Sequence, residues 1–166
     1  MIARALAAVA AVGTGLVVAA APTGAATPHR CATSELRLQY IRSEGAAGTI
    51  FEKLRFVARR HSVRCSLRGY PTVALQGRSG DELAIHVSRM RAPKRTVIVA
   101  PGHFARFTVR HPSADPTTTQ PCKTRVYGFG ASPPGDTRAL TARVGHHPKP
   151  LFCKRGARVT PVGRRY

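Results

Sequence analysis

This sequence predicts an all-β fold, an immunoglobulin-like antiparallel β-sandwich of about eight or nine strands braced by disulfides. Three observations carry that prediction. Apolar residues recur with period two, and no stripe at i, i+3, i+4 persists long enough for a helix. Turns rich in Gly and Pro interrupt these runs at short intervals. The four cysteines, Cys31, Cys65, Cys122 and Cys153, form an even set with no C-x-x-C pair. Such a set favours two disulfides over metal ligation or a redox site. A closed barrel is the alternative architecture.

The N-terminal stretch predicts where the chain works. Met1 to Ala26 carries one positive charge, Arg4, then an apolar run from Ala5 to Ala21 broken only by Gly13, Thr14 and Gly15. Small residues follow, with Gly24-Ala25-Ala26 as the cleavage site, which is the layout of a secretory signal peptide. The run is short and Ala-rich, and a Pro-Thr-Gly turn follows it at once, unlike a membrane anchor. Thr27-Pro28-His29-Arg30 is unlike the Leu-Ala-Gly type of run that precedes a lipidated cysteine. The expectation is a signal peptide over residues 1–26 and a single β-sandwich domain over 27–166. The protein is then secreted, extracellular or cell-wall associated, and not lipid-anchored.

Along the mature chain, Leu36, Leu38 and Tyr40 alternate with Arg37 and Gln39 as a half-buried strand. Glu44-Gly45-Ala46-Ala47-Gly48 reads as a loop. From Ile50 to Ala58 the alternation resumes, with Ile50, Leu54, Phe56 and Ala58 inward and Lys53, Arg55 and Arg59 outward; Glu52 falls on the inner face. Arg59 to Ser62 is a polar corner. Thr72 to Gln76 is a short strand and Gly77 to Asp81 a hairpin turn. Leu83, Ile85 and Val87 alternate as another strand, Arg89 to Lys94 is a basic connection, and Val97 and Val99 lead a strand ending at Pro101-Gly102. His103 to His111 is the cleanest strand, with Ala105, Phe107 and Val109 inward and Arg106, Thr108 and Arg110 outward. Pro112 to Pro121 is an exposed loop. Strands over Lys123 to Phe129 and Thr137 to Val144 flank a Pro133-Pro134-Gly135 turn. His146 to Pro150 is an extended basic loop, and Arg158 to Val162 closes the fold.

The densest structural signal is Arg64 to Val73, RCSLRGYPTV. A cysteine, a short strand and a Gly-Tyr-Pro reversal fall within it. Gly69 supplies backbone freedom, Pro71 fixes entry to the next strand, and Tyr70 is expected to lay its ring over a disulfide with its hydroxyl on a polar group. Four cysteines admit three pairings, and spacing does not choose among them. If Cys31 pairs with Cys65 and Cys122 with Cys153, each bridge closes a loop worth roughly 3–4 kcal/mol in the chain-entropy model.

With that frame in place, the chain resembles the actinobacterial secreted proteins grouped as domain of unknown function 4232. The resemblance rests on Cys31 leading the first strand, Gly45-Ala46-Ala47-Gly48, RCSLRGYPTV, and Ala100-Pro101-Gly102 with the strand after it. It continues through Cys122, Pro133-Pro134-Gly135, Cys153 and Val159-Thr160-Pro161-Val162, in order over nearly the whole mature chain. It implies an exported all-β domain, often lipid-anchored or tethered, with paired cysteines and no assigned activity. This chain departs in carrying Arg59 where the family usually has Asn, and in lacking the lipidation motif.

No catalytic set emerges from the sequence. Gly77-Arg78-Ser79-Gly80 does not satisfy G-x-S-x-G, and no helix follows it. Asp81 and Glu82 are adjacent and point to opposite faces of a strand, and seven acids in the whole chain argue against two-carboxylate chemistry. His103 and His111 lie eight residues apart, roughly 27 Å at strand rise, too far to share a metal. His146 and His147 would make half a site only with His86 or His103 brought to them. The expectation is no cofactor, no metal and no enzyme.

Charge is the remaining signal. Lys and Arg number 27 against 7 acids, for a net charge of +20, while Asn and Trp are absent. A GC-rich coding sequence inflates Arg, yet a charge of this size attracts polyanions whatever its origin. Arg106 and Arg110 form an outward stripe on one strand, and Arg55 and Arg59 on another; Arg89, Arg91, Lys94 and Arg95 form a charged run. No aromatic residues interleave with these arginines, which argues against a single-stranded nucleic-acid platform. The expected function is a non-catalytic secreted or cell-envelope binding module. Its candidate anion-binding residues are Arg55, Arg59, Arg106 and Arg110, and its partners anionic cell-wall or membrane polymers or another envelope protein. The alternatives are a hydrolase built from loops, with His103, Ser79 and Asp81, and an inhibitor presenting the Pro112 to Pro121 loop.

Overall fold

The computed structural model describes residues 27–60 and 64–164, and it is all-β apart from one 3-10 turn, Thr33–Glu35. The segment expected to direct export lies outside the described residues, as do His61 and Ser62 of the polar corner. The strands in chain order are β1 (Leu36–Ala46), β2 (Thr49–Ala58), β3 (Cys65–Arg68), β4 (Thr72–Gln76), β5 (Val87–Arg89) and β6 (Thr96–Val99). Then come β7 (Phe104–Pro112), β8 (Thr124–Arg125), β9 (Gly128–Ser132), β10 (Leu140–Arg143), β11 (Leu151–Phe152) and β12 (Ala157–Val159). A five-stranded sheet runs β1-β2-β7-β12-β5, a three-stranded sheet runs β10-β9-β4, and β11-β8 and β3-β6 form separate pairs. Pairing is antiparallel except between β12 and β5, which run parallel. Among the described residues no helix is long and apolar enough to cross a membrane.

Twelve strands in four sheets exceed the expected eight or nine, and the excess has local causes. The run from Lys123 to Phe129 changes partner midway. Thr124 and Arg125 pair with β11, the Val126 amide turns to the Pro150 carbonyl at 3.0 Å and the Tyr127 amide to Gln76 at 2.9 Å, and β9 then joins β4 and β10. The expected strand from Leu83 to Val87 is kinked where the Ile85 amide bonds the Leu83 carbonyl at 2.7 Å. Only Val87–Arg89 makes a ladder, yet Ile85 is buried and Leu83 packs against the core. Thr137 to Arg138 is likewise drawn out of β10. The Asp136 carboxylate accepts the Thr33 amide at 2.9 Å, the Thr33 hydroxyl at 2.5 Å and the Arg138 amide at 3.0 Å.

The expected loop at Glu44 to Gly48 contracts to two residues. Ala46 pairs with Thr49, and Ala47 (φ 45°) and Gly48 (φ 74°) form the reversal with both φ positive, as a two-residue hairpin requires. Glu44 and Gly45 stay in the ladder although their side chains carry no apolar alternation, so the pattern ends before the strand does.

One core joins the sheets. Phe56 and Phe107 from the five-stranded sheet, Phe129 from β9 and Phe152 from β11 are all fully buried, each worth about 1.5–3 kcal/mol of burial. Tyr40 of β1 stacks on Phe129 with centroids 5.5 Å apart. The disulfides pair Cys31 with Cys65 and Cys122 with Cys153. The first belongs to the core cluster, whereas the second lies outside it.

At the Gly-Tyr-Pro reversal, Gly69 has φ 115°, a conformation that costs glycine little. The Gly69 carbonyl accepts the Val162 amide at 2.8 Å, which ties the C-terminal segment to the turn. The Tyr70 hydroxyl donates to the Met90 carbonyl and accepts the Ala92 amide at 3.2 Å. Its ring lies against Arg89 and Lys94, so Tyr70 secures the connection after β5.

Candidate anion-binding site

The outward positions of the five-stranded sheet form the site. Along β2 they are Phe51, Lys53 and Arg55; along β7, Phe104, Arg106, Thr108 and Arg110; and along β12, Arg158. The register sets Arg55 directly opposite Arg106 and Arg110 directly opposite Arg158. Like charges facing each other across a ladder are destabilising, so these two pairs oppose the stability of the sheet.

Aromatic rings brace the pairs. Phe104 lies under both Arg55, at 4.8 Å, and Arg106, at 4.5 Å. Phe51 takes Arg110 at 5.6 Å and Lys53 at 5.5 Å. Aromatics therefore do interleave with arginines, in space although not along the chain. The sequence reading missed Phe51 and Phe104 because a ring on one strand meets a guanidinium on the next only once register is known. Arg55 is held further by its Nε–H, which donates to the Gln39 carboxamide oxygen at 2.8 Å.

Three of the four expected arginines, Arg55, Arg106 and Arg110, share this face. Arg59 does not continue the stripe. It lies past the end of β2, where its Nε–H donates to the Leu36 carbonyl at 3.0 Å and its amide to Glu35 at 2.8 Å, closing the start of β1. Of the Arg89 to Arg95 run, Arg89 and Lys94 lie against the Tyr70 ring instead. Where the face ends, beside the β1–β2 turn, it opens into a cleft of about 360 Å³ whose lining includes Arg110, Arg155, Arg158, His86 and Ser88.

The inward face of the same strands carries the opposite arrangement. Glu52 and His111 are fully buried and meet at 3.1 Å through the imidazole Nε2. Tyr40 donates to Glu52 Oε2 at 2.8 Å and Ser43 to Oε1 at 3.0 Å. The His111 ring stacks on Phe152 with centroids 3.7 Å apart, and its Nδ1 bonds the Pro112 carbonyl at 3.1 Å. A carbonyl only accepts, so Nδ1 carries a proton and Nε2 is left to Glu52. Burial, then the charge and hydrogen bond of Glu52, raise the Tyr40 phenol well above its ordinary range. The inward phase of Glu52 is a true feature of the strand: a buried carboxylate is tolerated because the Tyr40 and Ser43 hydroxyls donate to it and the His111 imidazole meets it.

The remaining candidates disperse. Ser79 and Asp81 bond each other within their turn, while His103 lines a separate depression with Ile98, Phe104 and Arg164. His147 packs edge-on against Tyr40 at 5.5 Å. Among the described residues one group has metal-ligand spacing, His29, Glu35 and Cys65, all within 4.8 Å. The Cys65 sulfur is already bonded to Cys31, and His29 and Glu35 meet each other at 2.8 Å.

No curated protein and no solved structure matches the chain. A family model does, that of a domain of unknown function (DUF4232), over residues 31–163. The match begins at the first cysteine, ends beyond β12 and spans both disulfides and the whole arginine-bearing face, so the chain belongs to the DUF4232 family.

Proposed function

We propose that this protein is a non-catalytic module of the cell envelope or the secreted fraction that binds anionic wall or membrane polymers. The outer face of the five-stranded sheet is its contact surface. The observation that carries this reading is the pair of cross-strand Arg–Arg oppositions, Arg55 with Arg106 and Arg110 with Arg158. A sheet face selected for stability would set acids opposite these bases. A repeating polyanion brings charge of the opposite sign to this face, and rings at Phe51 and Phe104 hold the guanidinium planes for contact.

The net charge of +20 supports long-range attraction, and two disulfides suit an oxidising compartment outside the cytoplasm. Export through residues 1–26, without a lipid anchor, belongs to the same reading. So does an immunoglobulin-like sandwich whose two layers are the five- and three-stranded sheets, a reading supported by the stacking of Tyr40 on Phe129.

The test is retention of the purified protein on an anionic polymer column across a salt gradient. Wild type should bind at low salt and elute as salt rises, and the Arg55→Ala/Arg106→Ala variant should elute distinctly earlier. Equal partitioning at every salt concentration, or unchanged elution of the variant, would overturn the reading.

A further inference from the structure

The cleft at the end of the basic face differs from the rest of that face: it is concave, and its cations converge from three separate elements. Arg110 comes from β7, Arg158 from β12, and Arg155 from the turn before β12. We infer that this cleft is a site for a phosphate monoester group. The inference rests on the anion-binding reading of the outer face and names the chemistry this end of it would take.

Charge balance is the first argument. Arg155 already shares Asp115, 3.8 Å from its Nε. Among the described residues neither Arg110 nor Arg158 meets a carboxylate, and the register holds the two opposite each other. Two positive charges face one another across a ladder, and one dianion between them would cancel the repulsion. A phosphate monoester carries about −1.5 to −2 charges at neutral pH.

Shape is the second argument. Side chains directly opposite in an antiparallel ladder start about 5 Å apart, so two guanidinium forks approach one ligand from neighbouring strands. A carboxylate has a single two-oxygen edge and satisfies one fork. A monoester has three free oxygens and offers an edge to each fork. A phosphodiester has only two free oxygens and about one charge.

The cleft is also built in advance. Gly156 has φ 100°, and a Cβ placed on it would stand 2.6 Å from the His86 carbonyl oxygen, so only glycine lets the Arg155 turn approach β5 so closely. The Ala157 amide bonds the same His86 carbonyl at 2.9 Å, and the Gly156 amide reaches Cys153 at 3.4 Å. The Cys122–Cys153 bridge thereby fixes the base of the turn that presents Arg155. Phe51 supports the Arg110 guanidinium from the sheet.

Isothermal titration at constant ionic strength, with methyl phosphate and dimethyl phosphate as probes, tests the site. Methyl phosphate should saturate at one per chain, and dimethyl phosphate should bind at least about tenfold more weakly. Arg110→Ala and Arg158→Ala should each weaken methyl phosphate about tenfold or more, as loss of a charge-assisted contact implies. Arg158→Lys keeps the charge but loses the fork, and should recover only part of the affinity. Arg143→Ala, an equal charge loss on the exposed side of β10, should leave it within about twofold.

Absence of saturable binding, equal binding of the two probes, or equal loss in Arg143→Ala would overturn the assignment. Vesicles of phosphatidylcholine with phosphatidic acid identify the source. Capture abolished by Arg158→Ala assigns a lipid headgroup, and capture unchanged by it assigns a soluble or polymer-terminal monoester. The two readings fail separately. Salt-sensitive retention on polyanions without methyl phosphate binding removes only the cleft assignment, and the converse removes only the role of the face.

Discussion

The two sides of the β2–β7 ladder handle charge in opposite ways. On the inner side, Glu52 is the fully buried carboxylate, and it is surrounded by Tyr40, Ser43 and His111 within 2.8 to 3.1 Å. On the outer side of the same strands, arginine stands opposite arginine at Arg55–Arg106 and, one strand over, at Arg110–Arg158. Inside, low dielectric makes an uncompensated charge very costly, so every donor and acceptor is matched. Outside, water screens the repulsion enough for it to persist. The difference separates charge that holds the fold together from charge that the fold tolerates, and tolerated charge is the kind available to a ligand.

Glu52→Ala should break that contrast most strongly. It strands the buried His111 and takes an acceptor from the half-buried Tyr40, and should cost about 3–5 kcal/mol in urea denaturation, the usual penalty for removing one partner of a buried pair. Glu52→Gln keeps a carbonyl oxygen for Tyr40, and its NH2 in the place of Oε1 can donate to the Ser43 hydroxyl oxygen and to His111 Nε2, so the loss should fall to about 1 kcal/mol. Equal losses in the two variants would mean that charge rather than hydrogen bonding dominates the inner face.

Acid should act next, through rim carboxylates rather than the outer arginines. The Thr33 hydroxyl, followed by the Arg138 and Thr33 amides, holds Asp136 well below the usual carboxylate range. The Thr117 hydroxyl and amide lower Asp115, and the hydrogen bond from Arg42 lowers Glu44. Groups depressed in the folded state stabilise it above their unfolded pKa, near 4, and lose that contribution as pH falls through the folded values. The melting temperature should therefore stay level from neutral pH to about 5 and decline below about 4. Asp136→Asn should flatten the decline; an unchanged acid limb in that variant would remove Asp136 from the account.

The smallest effect belongs to the outer face. Arg106→Gln relieves the opposition to Arg55 and should change stability by no more than about 0.5 kcal/mol, with a gain more in keeping than a loss. A loss of several kcal/mol would make the outer arginines structural and erase the distinction between the two faces.

Much of this was legible in the residues. Alternation marked β1, β2 and β7, because a half-buried ladder imposes period two on its own strand. Gly-Tyr-Pro marked the reversal at Gly69, and four cysteines without a C-x-x-C pair marked two bridges. Alternation even placed Glu52 on the inner face, where it looked like a flaw in the pattern. Its explanation, His111, lies 59 residues away. Phe104 beneath Arg55 and Arg158 opposite Arg110 are likewise partners that only the pairing of distant strands brings together. Sequence alone determined the class of fold, its turns, its cysteine frame and the sign of its surface. Tertiary structure decided which bridge joins the core, which charges are matched and which face each other, because register and sheet order are set by the packing of the whole chain and by no single strand.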